Sequence, residues 1–586
     1  MYETWDLAPL YKDFDDPRFT EELTYLQQKS DELIQFVGQL STTEPLEGLR
    51  RGTALLEAIE VATDRLALYP RLRIAADASD SQAIRWQERI SSITAAVTGA
   101  QASYKQWAGS LPKLMELLKQ DEILQQYRFY YSQIAHSVSH LMSSQQEQAV
   151  AAMNISGGKA WANFRGAMIG SATAQFRGQT MTLTSLRHKA GDPEQTVRRE
   201  AFQAELDACR SIALPLAHAM NATKQATITE CNMRGYESVL DWSLQQQVMQ
   251  PQTLEAMLSA VQESLPKLRK YLKAKAQLLG HRGGIPWYDI SAPISNAAGS
   301  YTPEQARDQL LDIFYAFDAD LGRMIQTAFQ DRWIDIFPRS GKRDGAFCAS
   351  SKSMGRSWVL ANFSGRPSGI STFAHELGHA FHNQCIQSHR PLNKRYSRPV
   401  SETASIFNEF LVSNNAIDNA KTPEEKLSLV GSYLSTYAGL IIDVYSRFLF
   451  EREVFCRREK GFLSPEVLCR IMEDAQKEAY GDALDPQQLH PYMWICKPHY
   501  YAYFYYNYPY IFGTLFSLGL YTQYEKEGAA FVPKYKELLR TTTIATVEDA
   551  AKVADIDLTT KDFWQTALQK LGDMVDQFCI LSGYEE

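Results

Sequence analysis

The stretch FAHELGHAFH, residues 373–382, constrains the fold more than any other feature of this chain. Successive residues of an α-helix rotate by about 100°, so residues four apart lie one turn apart on the same face. His375 and His379 can therefore bind one ion if the stretch is helical. Glu376 then lies beside the first histidine, where its carboxylate can take a proton from a water held by that ion. The stretch predicts a helix that carries a metal site with its own base.

The HExxH spacing is a specific signal. The chain has 11 histidines and 68 acidic residues among 586 residues, so the pattern is expected by chance only about 0.02 times. The surrounding residues follow a helical apolar pattern, and GRPSGIST before them predicts a turn and a capping serine or threonine. The same arrangement is found in zinc hydrolases.

A catalytic zinc site needs a third protein ligand. The metzincin pattern requires glycine at the position of His382 and histidine at the position of Cys385, so it does not fit. His382 is interpreted as an ordinary histidine of the helix face. Cys385 is a poor candidate, because a thiolate is badly suited to a site that activates water.

The downstream stretch RPVSETASIFNEF offers the favoured third ligand. Glu402 and Glu409 are seven residues apart, or two helical turns, and face the same way. The apolar residues around them indicate that both carboxylates are buried and paired. One carboxylate can bind the metal while the other accepts a hydrogen bond from a ligand histidine. We favour Glu402 as the ligand and Glu409 as the partner of a histidine.

These motifs resemble those of the thimet oligopeptidase/oligoendopeptidase F family of zinc metallopeptidases, and the oligoendopeptidase F branch most closely. HELGH is followed by SETASIFNE, whose first glutamate comes 27 positions after His375. Further support comes from GAFCAS, STFAHELGHAFH and KPHYYAYFYYNYPYIFGTLFSLGLY. The resemblance is strong from about residue 185 to the end and weaker over the N-terminal part.

The resemblance implies a mostly helical, two-lobed body around a deep channel whose narrow entrance admits only unfolded peptides. It also implies an edge strand that pairs with the main chain of the substrate. We expect this strand within SWVLANF, Ser357–Phe363.

The resemblance further implies that a C-terminal histidine and one or more tyrosines stabilise the oxyanion of the tetrahedral intermediate. His499 matches the family's histidine directly. The tyrosines match less well, because Phe504 stands where the oligoendopeptidase F pattern usually has proline. Tyr506 is favoured by position and Tyr510 comes next. The other two close alternatives are Tyr505 and Tyr508.

The rest of the chain predicts a mainly α protein with a small β-sheet beside the HExxH helix. Helical patterns run to about Thr173, with breaks at TTEPLEG and near GSLPK, and TMTLTSL then alternates as a strand does. A boundary near residue 190 would separate an N-terminal helical domain, 1–190, from a catalytic domain, 191–586. Later helices are expected at 195–230, 252–280 and 303–330, with strand-like runs in IPWYDI, GAFCAS and SWVLANF.

Composition excludes several classes of protein. A net charge of -8 gives no basic excess for a phosphate backbone, so nucleic acid is not an expected partner. The N-terminus carries acidic residues where a signal peptide needs a positive region, which favours the cytoplasm. The uncharged stretch 498–524 contains too many polar groups to span a membrane, and no membrane partner is expected. Eight scattered cysteines without a CxxC pair predict reduced thiols.

Together these features predict a zinc-dependent endopeptidase that hydrolyses internal bonds of short unfolded oligopeptides by a metal-activated water. His375, His379 and Glu402 would hold one Zn²⁺ per chain, which their ligand types favour over cobalt or manganese. Glu376 would accept the proton of the water and pass it to the leaving nitrogen, and His499 with Tyr506 would stabilise the oxyanion.

Two alternatives stay open on the sequence. One is a helical HExxH metallocarboxypeptidase, which needs a group that binds the free C-terminus of a peptide. Arg395, Arg398 and Lys497 are candidates for that group, although surface charge is the simpler reading of each. The other is a peptide-binding protein that lost catalysis, against which the intact Glu376 argues.

Overall fold

The computed structural model describes residues 4–294 and 300–585. Helices hold 72% of the residues and strands 4%, which confirms the prediction of a mainly α protein with small sheets.

The α-helices vary in length from single turns to 39 residues. In chain order they are α1 (Pro17–Val37), α2 (Pro45–Ala76), α3 (Ser81–Gly109), α4 (Leu114–Leu118), α5 (Glu122–Gln126), α6 (Arg128–Val138), α7 (Ser144–Ser156), α8 (Gly158–Ser171), α9 (Leu183–His188), α10 (Gln195–Met233), α11 (Val239–Gln246), α12 (Pro251–Leu278), α13 (Pro303–Phe317), α14 (Ala319–Gln330), α15 (Pro367–Cys385), α16 (Arg398–Ser401), α17 (Thr403–Asp418), α18 (Pro423–Arg458), α19 (Pro465–Tyr480), α20 (Met493–Cys496), α21 (His499–Ala502), α22 (Tyr508–Glu527), α23 (Phe531–Thr541), α24 (Val547–Lys552) and α25 (Lys561–Ser582).

Short 3₁₀ helices and strands complete the elements. The 3₁₀ helices are Leu40–Thr42, Lys189–Gly191, Trp287–Asp289, Pro391–Asn393, Gly481–Ala483 and Gly528–Ala530. The strands are β1 (Thr173–Phe176), β2 (Gln179–Thr182), β3 (Ile334–Asp335), β4 (Phe347–Ser351) and β5 (Arg356–Leu360).

The chain divides into two compact units, and each is assembled from three segments. The first comprises Met1–Leu141, Ala298–Val412 and Gln523–Asp555. The second comprises Met142–Ala297, Ser413–Thr522 and Ile556–Glu586. The continuous domains 1–190 and 191–586 stay a prediction, as does the substrate channel.

The first unit is built on the N-terminal helices, in which α1 packs on α2 and α3, and α3 packs on α6. An aromatic cluster lies where the first three of these helices meet, and its rings contact mostly edge to face. Its members are Tyr11, Phe14, Phe19, Tyr69 and Trp86. The same core extends to Trp358 and Leu360, so the N-terminal helices support strand β5.

A three-stranded sheet in this unit lies beside the HExxH helix, as predicted. Strand β5 is central, pairing in parallel with β3 and antiparallel with β4. β4 packs on α15, where Asn383 Nδ2 donates to Ser350 Oγ at 2.9 Å. The expectation of an edge strand within Ser357–Phe363 is therefore wrong. Main-chain bonds of this segment go to β4 on one side and to 333–336 on the other, and the edge beside α15 is β4.

The second unit is a helical assembly in which α25 packs on α12 and α18, α18 packs on α19, and α8 packs on α10. β1 and β2 form an antiparallel hairpin. Its turn is Arg177-Gly178, both residues with positive φ, as a tight two-residue hairpin turn requires. Deep in the unit, Lys224 Nζ donates to Glu451 Oε1 at 2.6 Å, and both side chains are buried.

Three local predictions differ from the structure. IPWYDI is not a strand: Ile285 makes a single bridge to Leu484 and a 3₁₀ turn follows. The strand of TMTLTSL ends at Thr182, because its hydroxyl accepts from Ser185 N and starts α9. The helix expected over 303–330 is broken at Asp318, whose carboxylate caps α14 by accepting from two main-chain N–H groups.

One helix among the described residues, Pro423–Arg458, is long and apolar enough to cross a membrane by length and composition. Half of its most apolar window is buried inside the protein. The eight cysteines are free thiols, in line with the prediction of reduced cysteines.

Candidate metal centre

The HExxH motif lies on α15, as predicted. The helix begins with Pro367 at its first position, where the missing N–H of proline costs nothing. Arg366 occupies the cap position and makes no side-chain cap, so the predicted serine or threonine cap is wrong. Phe373, Leu377 and Phe381 are buried at four-residue spacing and fix which way the helix faces.

His375 and His379 meet one carboxylate across this face. Their rings are 4.9 Å apart between centroids. His375 Nε2 lies 3.3 Å from Glu402 Oε2, and His379 Nε2 lies 3.4 Å from the same oxygen. The three side chains stay 26%, 19% and 32% exposed, so the cluster is open to solvent on one side.

The spacing of these donor atoms fits a tetrahedral zinc ion. Zn–N and Zn–O bonds of about 2.0–2.2 Å at a tetrahedral angle put two donor atoms about 3.3–3.5 Å apart. The measured separations of 3.3 and 3.4 Å fall in this range. All three donor atoms lie within 4.8 Å of one another.

Glu402 is held between two helices. It follows the single turn α16, and its main-chain oxygen accepts from Ile406 N at 3.0 Å, which starts α17. Ser405 Oγ donates to Glu402 Oε2 at 3.0 Å and steadies the carboxylate. Burial would raise the pKa of Glu402, but hydrogen bonds to His375 and His379 outweigh burial and lower that pKa well below its usual range.

Glu409 contacts the far side of the first histidine. Its Oε1 pairs with His375 Nδ1, which leaves Nε2 of that ring directed at Glu402. Burial lowers the pKa of His375, but hydrogen bonds to Glu402 and Glu409 outweigh burial and raise that pKa to about 10. The two glutamates that the sequence paired thus both contact the same histidine.

Glu376 lies on α15 between the first histidine and strand β4. Only 7% of the residue is exposed. Burial raises the pKa of Glu376, while the nearby main-chain N–H of Cys348 lowers it by a smaller amount. Because Cys348 belongs to β4, the predicted base lies near the edge strand of the sheet.

The two rejected third ligands lie apart from the cluster. His382 is fully buried, with Nε2 at 2.9 Å from Thr542 Oγ1 and its ring stacked on Tyr396 at 4.4 Å. Burial lowers the pKa of His382 to about 3. Cys385 lines a different cavity with Lys536 and Asp320, and burial raises the pKa of its thiol to about 12.

His499 and the C-terminal tyrosines belong to the second unit. His499 stacks on Tyr506, with ring centroids 4.7 Å apart and planes 8° from parallel, and lies 6.2 Å from Tyr510. Burial, together with Arg447 and other nearby cations, lowers the pKa of His499. Its Nδ1 is buried and has no hydrogen-bond partner among residues 4–294 and 300–585.

The structure separates the four alternative tyrosines into two pairs. Tyr505 has φ of 47°, which turns the chain so that its ring stacks on Phe455 in the core. Tyr508 is fully buried, with its hydroxyl 3.2 Å from Ser243 Oγ. Tyr506 and Tyr510 are half-buried and lie next to His499.

Two contributions to the site were missed from the sequence. The Cys348 N–H, which lowers the pKa of Glu376, is a main-chain group and leaves no side-chain signal. Gly378 lies inside the motif, where it allows α15 to approach Ser405 closely. A glycine within a helical pattern is costly and indicates a close approach, so this residue could have been found.

Comparisons with known proteins agree on one family. A family model described as Peptidase family M3 matches residues 190–570, and one described as Oligopeptidase F matches residues 111–172. Oligopeptidase PepF of Bacillus subtilis (strain 168) is 22% identical over 98% of this chain and 86% of its own. Group B oligopeptidase PepB of Streptococcus agalactiae is 24% identical over 87% of this chain and 84% of its own.

Solved structures share the fold along the whole chain. Oligoendopeptidase-F from Enterococcus faecium superposes with a TM-score of 0.71 at 18% identity, covering 97% of this chain and 99% of that one. PZ peptidase A with an inhibitor gives a TM-score of 0.72 at 13% identity, covering 94% and 97%. At such identities the likeness concerns the fold.

Proposed function

This chain belongs to peptidase family M3, and on that premise we propose that it is a zinc-dependent endopeptidase that cleaves internal bonds of short unfolded oligopeptides. The observation that carries the proposal is the convergence of His375, His379 and Glu402 at distances that suit zinc. Zinc in such a site supplies Lewis acidity toward a carbonyl oxygen and lowers the pKa of water to about 7. One Zn²⁺ per chain would be held here.

Glu376 is assigned as the general base. It is next to a ligand histidine in the chain and is almost fully buried. From that position its carboxylate takes a proton from the attacking water and delivers it to the leaving nitrogen.

His499 and Tyr506 are assigned as donors to the developing oxyanion, with Tyr510 beside them. Two observations support this choice over Tyr505 and Tyr508. Tyr506 stacks on His499 and keeps part of its surface exposed, whereas the other two rings are core residues.

Strand β4 is assigned to the main chain of the substrate. It lies at the edge of its sheet and packs on α15, which carries the metal-binding histidines. An extended peptide can add to such an edge as a further strand, which selects unfolded segments without reading their sequence. A reducing, cytoplasmic location completes the proposal and is supported by the eight free cysteines.

The test is hydrolysis of a short internally quenched peptide that is blocked at both ends. Activity that is lost on chelation and restored by zinc would support the proposal. Activity only on peptides with a free C-terminus would instead favour the carboxypeptidase, and stoichiometric zinc without any turnover would favour the peptide binder.

Two of the three candidate carboxylate-binding cations give the carboxypeptidase little support. Arg395 Nη2 pairs with Glu60 Oε2 at 2.7 Å. Lys497 Nζ lies 3.8 Å from Asp443 Oδ2, and burial lowers the pKa of Lys497 to about 8.

A further inference from the structure

The second unit contains another cluster of metal-ligating side chains, which the proposed peptidase mechanism does not use. It consists of Glu205, Cys209, His490 and Cys496, and we refer to it as the α10–α20 cluster. Cys209 Sγ lies 3.9 Å from Cys496 Sγ, and Cys496 Sγ lies 3.9 Å from Glu205 Oε1. His490 Nε2 lies 3.1 Å from the same Glu205 oxygen. All four residues are buried.

The fold brings these donors together from distant parts of the chain. Glu205 and Cys209 are four residues apart on α10 and therefore share a face. Cys496 ends the single turn α20, which follows His490. The side-chain amide of Gln476 makes two hydrogen bonds to the main chain of His490. It accepts from the His490 N–H at 3.1 Å and donates to the His490 carbonyl at 2.9 Å.

Another hydrogen bond holds the main chain next to Cys496. Arg165 is buried and donates from Nη2 to the carbonyl of Ile495 at 2.8 Å. The main chain on both sides of the donors is thus held by hydrogen bonds from outside the cluster. Such support is what orients the ligands of natural metal sites.

The spacing of the donors matches a tetrahedral zinc ion. Bonds of about 2.3 Å to sulfur and about 2.0–2.2 Å to nitrogen and oxygen predict separations of about 3.8 Å for S···S, 3.6 Å for S···O and 3.4 Å for N···O. The measured values are 3.9, 3.9 and 3.1 Å. One donor atom from each of Glu205, His490 and Cys496 lies within 4.8 Å of the other two, whereas Cys209 contacts this group through Cys496.

The histidine also has a group without a partner. His490 Nδ1 is buried and makes no hydrogen bond to any described part of the chain. Because Nε2 faces Glu205, a metal ion would bind that nitrogen and leave the ring proton on Nδ1. No signal in the sequence suggested this site, because its cysteines are 287 residues apart.

Charge balance is consistent with a bound divalent ion. Two thiolates, one carboxylate and a divalent cation leave a net charge of about −1 in the cluster. Arg187 Nε lies 3.1 Å from Glu205 Oε1, and its positive charge offsets this net negative charge. Glu205 and Arg187 also line a cavity of about 560 Å³, which gives an ion room to approach.

We propose that the α10–α20 cluster binds a second divalent metal ion, with zinc the cation that its two sulfur, one nitrogen and one oxygen donors suit best. Binding releases the two thiol protons to solvent. We expect Cys209 to complete the tetrahedral site on binding, so the ion is structural and no position is open for water. It joins α10 to the segment 490–496 and stabilises the second unit.

Cobalt(II) titration of the chelator-treated full chain, kept under a reductant, tests the proposal. A thiolate bound to cobalt gives a charge-transfer band in the near ultraviolet, whereas the first site has only nitrogen and oxygen donors. We expect two equivalents of cobalt bound and this band present. The His375→Ala variant should bind one equivalent and keep the band.

Variants separate this site from other thiols. Cys496→Ser should abolish the band and bind one equivalent, whereas Cys579→Ser, at another buried cysteine of the same unit, should keep two equivalents and the band. Exposed Cys456 is replaced by serine in every variant to prevent unspecific binding. One equivalent without the band in the otherwise unaltered chain would overturn the proposal. So would a Cys496→Ser variant that kept both the two equivalents and the band. Neither result depends on peptidase activity.

Discussion

Gly378 and Ser405 touch where α15 packs on the start of α17. A Cβ atom on Gly378 would lie 2.5 Å from Ser405 Cα and 2.6 Å from Ala404 O, closer than real Cβ contacts allow. Gly378 precedes His379, a proposed ligand, and Ser405 comes one helical turn after Glu402. The close approach of these two backbones therefore sets the distance between the histidines and the carboxylate. Asn408 Nδ2 adds a hydrogen bond across the same contact, to Ala374 O at 3.2 Å.

Gly378→Ala should weaken metal binding. The added methyl group meets main-chain atoms, which cannot rotate away, so the helices must separate and lengthen the His–Glu402 distances. We expect the dissociation constant for zinc to rise about 10–100-fold, as when supporting residues of metal sites are lost. Zinc affinity is measured by competition with a chelator.

Gly99→Ala is the matched control for this substitution. Gly99 also lies within a helix of the first unit, and a Cβ there meets nothing within 4 Å. Its zinc affinity should be unchanged and its stability slightly higher, because alanine favours helix. Equal zinc affinity in Gly378→Ala and the unaltered chain would show that the contact does not position the ligands.

Glu376→Gln should separate metal binding from catalysis. Glutamine keeps the shape of the side chain but cannot accept the proton of the attacking water. We expect kcat to fall by at least about 10²-fold, the usual contribution of a general base, with zinc content unchanged. Peptide cleavage and zinc content are measured on the same sample. Near-normal turnover with zinc bound would remove the assignment of Glu376 as base.

Glu409→Gln should loosen the metal site without removing a ligand. The carboxylate contacts His375 Nδ1 and fixes which nitrogen faces Glu402. A neutral amide orients the ring less strongly, so we expect zinc affinity to fall about 10–100-fold. Exposed Glu88→Gln removes the same charge elsewhere in the unit and should leave zinc affinity unchanged. If both variants bind zinc equally, Glu409 has no positioning role.

Much of this site could be anticipated because its information is local. His375, Glu376 and His379 depend only on helical spacing within one element, and that helix formed as expected. The Glu402 and Glu409 pair follows from the same spacing, although Glu402 lies just before α17 rather than within it. Residues a few positions apart on a helix point in a fixed direction relative to one another, so their arrangement can be predicted before any tertiary contact is known.

Two of the errors concern long-range pairing. Ser357–Phe363 has the residues of a strand, but whether a strand is central or at an edge depends on segment 333–336, which carries only a two-residue strand. The α10–α20 cluster was missed for a similar reason, since Cys209 and Cys496 meet only in the folded unit. The break at Asp318 was local and could have been found, because Asp is a common helix cap.

Tyr506→Phe should slow catalysis while Tyr505→Phe should not. The Tyr506 ring stacks on His499, whereas Tyr505 stacks on Phe455 in the core. Loss of one oxyanion donor usually costs about 10²–10³ in kcat, with a smaller change in KM. Steady-state kinetics on one blocked peptide compares the two variants. A similar kcat in both would move the donor role to Tyr510 or to His499 alone.

His382→Gln should make the stability of the protein less sensitive to acid. Burial lowers the pKa of His382 to about 3 in the folded state, against a usual value near 6.5. The unfolded chain therefore binds a proton first as the pH falls, and stability that is present above pH ~6.5 is lost below it. Between pH 7 and 5 this loss of stability amounts to about 2 kcal/mol. Glutamine does not titrate, so the variant should not lose this stability. The glutamine amide can still donate to Thr542 Oγ1. The free energy of unfolding is measured with denaturant at both pH values on metal-free protein, with His218→Gln on the surface as control. An equal acid-induced loss in all three proteins would mean that His382 is not held neutral by burial.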